Sequence, residues 1–311
     1  MCIFVVSPHK KPSTPMLCED KALRLTNIFI VCDDFCQALT EWQEQQGCLP
    51  TTKAGELADS EMLAITIFYH YSGAKCFEYY YRDWVLPMMK TYFPKIISYE
   101  RFVARMPRLL PGLFVLLKWL CGLGQRTGFY IIDSKPLAVC HNRRIEQNRV
   151  FAGLAARGKS SMGWFYGFKA HLVINQYGEL VNFVLTPGNV SDNNAAVLEE
   201  ALDGLQGQCV GDRGYLTRLF ATFYLRGLQL ITKLRRKMKN VLMPLSDKLK
   251  LRKRGLIESV NDLLTSVFDV SHTRHRSAIN AQVNMLSGLI AYCFYPNKPT
   301  IVVADTKRLN P

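Results

Sequence analysis

Three carboxylates stand where they could do chemistry together: Asp133 in the apolar run FYIIDS, Asp212 closing VGD before RGY, and Glu258 in GLIESVND. Brought to one sheet edge, they make a hard-oxygen site suited to Mg²⁺ or Mn²⁺. Two such ions about 3.5–4 Å apart can clamp the attacking and leaving oxygens of a phosphodiester. They would activate water or a DNA 3′-hydroxyl without a covalent protein intermediate. Singly, each acid has a plainer reading. Asp133 could cap a strand end, Asp212 could open the turn at Arg213–Gly214, and Glu258 could lie on a solvated helix. It is the combination that points to a site.

A phosphodiester substrate calls for cations nearby, and the chain carries a formal charge of +14. A surplus of that size makes polyanions, nucleic acid first among them, fitting partners. His141, Arg143, Arg144, Arg157, Lys159, Lys169 and His171 fall in one stretch after Asp133, with Gly153, Gly158 and Gly163 loosening it. This stretch is expected to be a DNA-contacting loop that leads into a strand, with Arg157 and Lys159 on phosphate. Lys169 and His171 alternate with aromatics and so share one face of that strand, expected to point at the active site, the plainer reading being a polar outer sheet face. Arg213, beside Asp212, is placed either to hold a phosphate or to pair with Asp212. From Lys233 to Arg254 there are ten Lys or Arg against the single acid Asp247, a backbone-phosphate track that runs straight to Glu258. Arg235, Arg236, Lys237, Arg252, Lys253 and Arg254 belong to it. HTRHR adds Arg274 and Arg276. Trp164, Phe165, Tyr166 and Phe168 read as core packing rather than as base-stacking platforms.

Elements that could hold the acids follow from the periodicity. FYIIDS reads as a strand, 162–175 as a second and 179–187 as a third, the last two joined by a tight turn at Gln176–Tyr177–Gly178. A helix capped by Ser191 or Asp192 follows, then a short buried strand over 208–212, a helix ending at Gly227, and a strand over 228–234. A basic linker leads to an amphipathic helix from Gly255. Three meandering strands, then strands reached through helices, is the order of a ribonuclease-H-like α/β domain with a mixed five-stranded sheet and flanking helices. In that order the ends of the first and fourth strands lie side by side, and the last helix can lean over the same edge.

Residues 20–125 read as an all-helical region for DNA binding or oligomerisation, with a weak helix-turn-helix signal over 55–105 and Gly73 as its turn. Residues 1–19 read as a flexible tail, 126–295 as the catalytic domain and 296–311 as a C-terminal tail. The ten cysteines are scattered without a CxxC pair, which speaks against zinc and for reduced thiols. No secretory signal is evident, and the apolar run LLPGLFVLLKWLCGL, broken by Pro111, Gly112 and Lys118, reads as a core helix. A cytoplasmic, nucleoid-associated protein without a membrane span is expected.

The stretches IIDSKPLAVCHNRRI, FAGLAARGKSSMGWFYGFKAHLVINQYGELVNFVLTPGNVSDN, VGDRGYL, IESV and HTRHRS resemble the DDE-class bacterial insertion-sequence transposases, specifically the insertion-sequence 982 family, over about residues 55 to 295. The resemblance implies Asp133, Asp212 and Glu258 as the metal-binding triad. It also implies Mg²⁺-dependent cutting at element ends and joining of 3′ ends to target DNA by a homo-oligomer, since two ends must be held together. Related transposases carry Tyr, Arg, Glu and Lys in a fixed signature around the catalytic Glu. Here Arg254 stands in the Arg place, Leu251 in the Tyr place and Thr265 in the Lys place. A nuclease without strand transfer, or an inactive DNA-binding copy, are the alternative readings.

Overall fold

The computed structural model describes residues 17–48, 56–160, 163–233, 243–271 and 275–302. The chain divides into two compact units, Met1–Arg105 and Met106–Pro311.

The first unit is helical. It holds α1 (Glu19–Gln45), α2 (Asp59–Ser72), α3 (Phe77–Tyr80), a π-helical turn (Tyr81–Val85), α4 (Leu86–Met88) and α5 (Tyr99–Arg105). Glu61 starts α2 by accepting a hydrogen bond from the Ala58 N–H at 2.7 Å, and Gly73 ends it with φ 79°. Aromatic side chains fill this unit: Phe77 lies against Tyr69, Tyr80, Tyr81 and Phe102. The buried hydroxyls of Tyr80 and Tyr81 donate to the carbonyls of Ile65 and Ile97. Gly73 therefore makes the expected turn, but the next helix has four residues, and α2 is buried along most of its length. Neither helix presents the long exposed face that a groove-reading helix needs.

The second unit carries the sheet. A 3-10 turn and α6 (Leu110–Leu123) lead into β1 (Phe129–Cys140), and a 3-10 turn at Asn142–Arg144 precedes β2 (Ala156–Ser160), β3 (Gly163–Asn175) and β4 (Leu180–Pro187). Then come α7 (Ala195–Ala201), β5 (Gly207–Gly211), a 3-10 turn at Arg213–Tyr215, α8 (Phe220–Leu225) and β6 (Leu228–Thr232). The chain closes with α9 (Leu245–Arg252), α10 (Gly255–Ser266) and α11 (Ala278–Cys293). The strand order is β2-β3-β1-β5-β6, with β4 also on β3. β1, β3 and β4 are antiparallel neighbours, whereas β5 and β6 run parallel to β1. This mixed sheet with flanking helices is a ribonuclease-H-like α/β fold.

The sheet has six strands, not the expected five. The addition is β2, in the stretch expected to be a loop around Arg157 and Lys159. Its sequence ARGKS has no apolar alternation, so period alone cannot reveal it. Pairing with β3 makes it a strand, and Gly158 permits the close fit: a Cβ there would lie 2.1 Å from the Gly188 carbonyl oxygen. One face of the sheet packs Tyr130, Ile132, Val173 and Val184 against Val197, Leu198 and Leu202 of the α7 region and Phe223 of α8. The helix α7 is capped by the Asn194 side chain, which accepts from the Val197 N–H at 3.3 Å. Ser191 and Asp192, the expected caps, lie further upstream, and Asp192 is engaged elsewhere.

The apolar α6 buries Leu113, Leu116, Leu117 and Cys121 and packs on α11 and β4. Its Lys118 ammonium donates to Asn182, to the Phe183 carbonyl and to Glu200. One face of α6 is packed in this unit, while Phe114, Val115, Trp119 and Leu123 stand exposed, so it is only in part the core helix expected. Among the described residues the helical run Tyr99–Leu123 is long and apolar enough to cross a membrane by length and composition.

Candidate active site

Register sets the two aspartates at one level. Ile131 of β1 pairs with Val210 of β5 in parallel, and Asp133 and Asp212 each follow two residues later. β5 stops at Gly211 because Asp212 turns the chain. Its Oδ1 accepts the Gly214 N–H at 2.5 Å and so caps the short 3-10 turn. Gly214 is needed here: a Cβ on it would stand 2.8 Å from Asp212 Oδ1 and 3.1 Å from Asp192 Oδ2. Two carboxylates thus close on one glycine.

Across the antiparallel pair, Asp133 faces Leu172 and Ser134 faces His171. Opposed residues share a side of the sheet, so Asp133 projects towards α10 and His171 to the other side. Asp133 is 19% exposed at its side chain. Burial pushes its carboxyl up to about 6 despite the opposing pull of Arg254, and the charges of Asp212 and Asp192 add to the rise.

Helix α10 meets β1 through three polar ties. The Arg254 guanidinium lies 3.7 Å from Asp133 Oδ1 and 2.9 Å from Glu258 Oε1, so it bridges the two acids. The Asn261 amide donates to Asp133 Oδ2 at 3.3 Å. The Lys135 ammonium, two residues on from Asp133 and on the same side of β1, donates to the Asn261 carbonyl at 2.9 Å and to Thr265 Oγ1 at 2.5 Å. A cation from β1 therefore stands against the position where related signatures have lysine. Burial lowers the pKa of Lys135. Glu258 itself is 61% exposed in the first turn of α10, so it can swing towards the aspartates.

The donor set fits a hard divalent cation in kind: all are carboxylate oxygens, and the charge of Asp212 adds to the rise that burial causes at Asp133. Among the described residues, no three Asp, Glu, His or Cys side chains stand close enough to hold an ion together. Arg254 is the cation that now bridges Asp133 and Glu258.

Asp192 also reaches this edge. In sequence it looks like a helix cap in NVSDNN. In the fold its Oδ1 accepts from the Lys169 ammonium at 3.0 Å, and Lys169 also donates to the Val190 carbonyl at 2.9 Å. The alternation that placed Lys169 on a strand was the one available signal for a buried partner. This corrects the expectation for Lys169 and His171. Lys169 is 8% exposed and spent on the β4–α7 loop. His171 is fully buried, 3.1 Å from Thr186 Oγ1, and burial lowers its pKa to about 4, so the ring is neutral above that pH. Neither offers a surface to DNA.

Other expected cations stand at the surface. His141, Arg143, Arg144, Arg157, Lys159, Arg213, Arg252, Lys253 and Arg276 are exposed. His141 also caps the turn at Asn142–Arg144 through Nδ1, and Lys159 lies over the exposed Trp164 ring at 5.7 Å. Phe165 and Phe168 are buried, as core packing requires, but Trp164 is exposed and Tyr166 half-buried, so the expectation of core packing fails for Trp164. Arg235, Arg236, Lys237 and Arg274 lie outside the described residues.

Residues 123–278, half of the chain, match the family model described as Transposase DDE domain. No curated protein matches the chain. No solved structure matches it either.

Proposed function

The chain belongs to the transposase DDE domain family, and from that premise we propose that it cuts DNA at the ends of an insertion sequence and joins the 3′ ends to target DNA by Mg²⁺-dependent phosphoryl transfer. One observation carries this reading. Asp133, inside β1, and Asp212, just past the end of β5, stand level beyond the parallel pairing of these two adjacent strands, and Arg254 draws Glu258 to the same edge.

Asp133, Asp212 and Glu258 would hold Mg²⁺ or Mn²⁺, which when bound neutralises charge on the phosphodiester and activates the attacking hydroxyl. The protein's own residues do the positioning. Asn261 fixes one oxygen of Asp133, and Lys135 holds the far end of the α10 contact. The Gly214 N–H fixes one oxygen of Asp212, leaving the other to face the substrate. Partial burial around Asp133 excludes water and strengthens each charge that acts there. DNA crossing this edge would meet Arg157 and Lys159 of β2 on one flank and Arg252 and Lys253 at the end of α9 on the other, with β1 and β5 between them. Two element ends must be held at once, so the active form is a homo-oligomer.

A strand-transfer assay with pre-cut ends tests the reading. Joined products in Mg²⁺ are expected. Metal-dependent nicking without any joined product would leave a ribonuclease-H-like nuclease and remove the transposase.

A further inference from the structure

On the β6 side of Asp212 the surface is notched by a cavity of about 120 Å³, lined by Gly211, Asp212, Arg213, Lys233, Leu251 and Arg254. The notch has room for a group of a few heavy atoms. Three of its six lining residues are cationic and one is acidic. Asp212 spends one oxygen on the Gly214 N–H, and Arg254 is shared with Asp133 and Glu258. Arg213 and Lys233 are exposed and make no ion pair among the described residues. Two unspent cations thus converge on a hole the size of a phosphate. It also sits at the carboxyl ends of the parallel strands β5 and β6, where open α/β sheets bind their ligands. Leu251, 8% exposed, gives the notch one apolar wall, which weakens screening of the charges around it.

We propose that this notch is a subsite for a non-reacting backbone phosphate of the DNA, and that Lys233 is a binding residue of it. The proposal rests on the transposase reading. The reacting phosphate must lie between β1 and β5, facing Asp133 and Asp212. A group in the notch sits one strand further over, beyond Asp212, so it is a neighbouring phosphodiester. Arg254 ties the subsite to the carboxylates. It lines the notch while bridging Asp133 and Glu258, so an arriving phosphate competes with those acids for the guanidinium. Filling the notch then loosens the contact of Arg254 with the two acids.

Single-phosphate neutralisation tests this. A duplex carrying the inverted-repeat end of the element would be made with one uncharged methylphosphonate at a time around the cut, and full-length wild type and Lys233→Ala would be titrated over a range of salt. With wild type, one position is expected to weaken binding about tenfold and to lower the salt slope by about 1. Lys233→Ala on unmodified duplex gives the same loss, and at that position the methylphosphonate costs the variant nothing more. Arg213→Ala should show the same non-additivity at the same position. Lys233 is exposed, so alanine there leaves the fold intact. Independent losses at every position, or none from Lys233→Ala, overturn the subsite and leave the transposase reading standing. A wild type that binds no duplex overturns both.

Discussion

On one side of β1, Ser134 lies opposite His171, whose ring meets Thr186 while Lys169 pairs with Asp192 nearby. On the other side Asp133 meets Arg254 and Asn261 under a half-open α10. Both regions hold ionisable groups out of water, and burial is the largest influence on each. On the His171 side it yields the neutral form, which costs nothing further: the imidazole pKa falls to about 4. On the Asp133 side burial, helped by the neighbouring acids and opposed by Arg254, raises a carboxyl to about 6. A protein tolerates that only where the charge is used. The first region pairs its ionisable groups internally, and the second leaves its carboxylates at an edge, the place the proposed function gives to a cation and a phosphate.

The largest expected effect separates them by pH. A carboxyl whose folded pKa is raised costs nothing below its ordinary value of 3.8, costs progressively more up to about 6, and a constant amount above. Asp133→Asn should therefore raise the unfolding free energy by up to ~3 kcal/mol above pH 6 and leave it unchanged below pH 4. Urea unfolding at pH 4 and pH 8 reads this directly, and a loss of stability at pH 8 would make Asp133 structural after all. Next, His171→Leu should destabilise the protein by about 1–3 kcal/mol, because Thr186 loses its buried partner. DNA affinity and cleavage per folded molecule should be retained. Unchanged stability with weakened DNA binding would reverse the roles of the two sides.

Smaller effects sharpen the picture. Lys135→Met should lower the cleavage rate constant about tenfold with little change in KM, since the ammonium positions α10 rather than binding substrate. Lys135→Arg should recover part of that loss, and a change confined to KM would mean that Lys135 touches DNA. Lys159→Ala should move stability by less than about 0.5 kcal/mol and lower the salt slope of DNA binding by about 1. An unchanged slope would detach β2 from the DNA path.

Much of this was legible because it is local. The run FYIIDS marks a strand carrying an acid, VGDRGY marks a strand that must turn, and the spacing of apolar residues after Gly255 marks a helix with Glu258 in its first turn. Helix and strand periods then marked every strand but β2, in an order that fits the ribonuclease-H-like sheet. What the residues hid depends on contacts far apart in sequence. β2 has no apolar period, and only its partner β3 makes it a strand. Lys169 and His171 alternate like a surface face, yet the β4–α7 loop covers them. Asp192 reads as a cap until Lys169 and Gly214 are placed beside it. The bond from Lys135 to Thr265 joins residues 130 positions apart, which no local pattern signals.

The central claim is that Asp133, Asp212 and Glu258 together carry DNA cleavage. Metal-dependent cutting of an element-end duplex by Asp133→Asn, Asp212→Asn and Glu258→Gln, with duplex binding measured on the same preparations, tests it most directly. Cleavage should fall on the order of 10³-fold or more in each variant while binding persists, and the added stability of Asp133→Asn rules out misfolding as the cause. Undiminished cleavage by Asp133→Asn, Asp212→Asn or Glu258→Gln, with binding intact, would contradict the account.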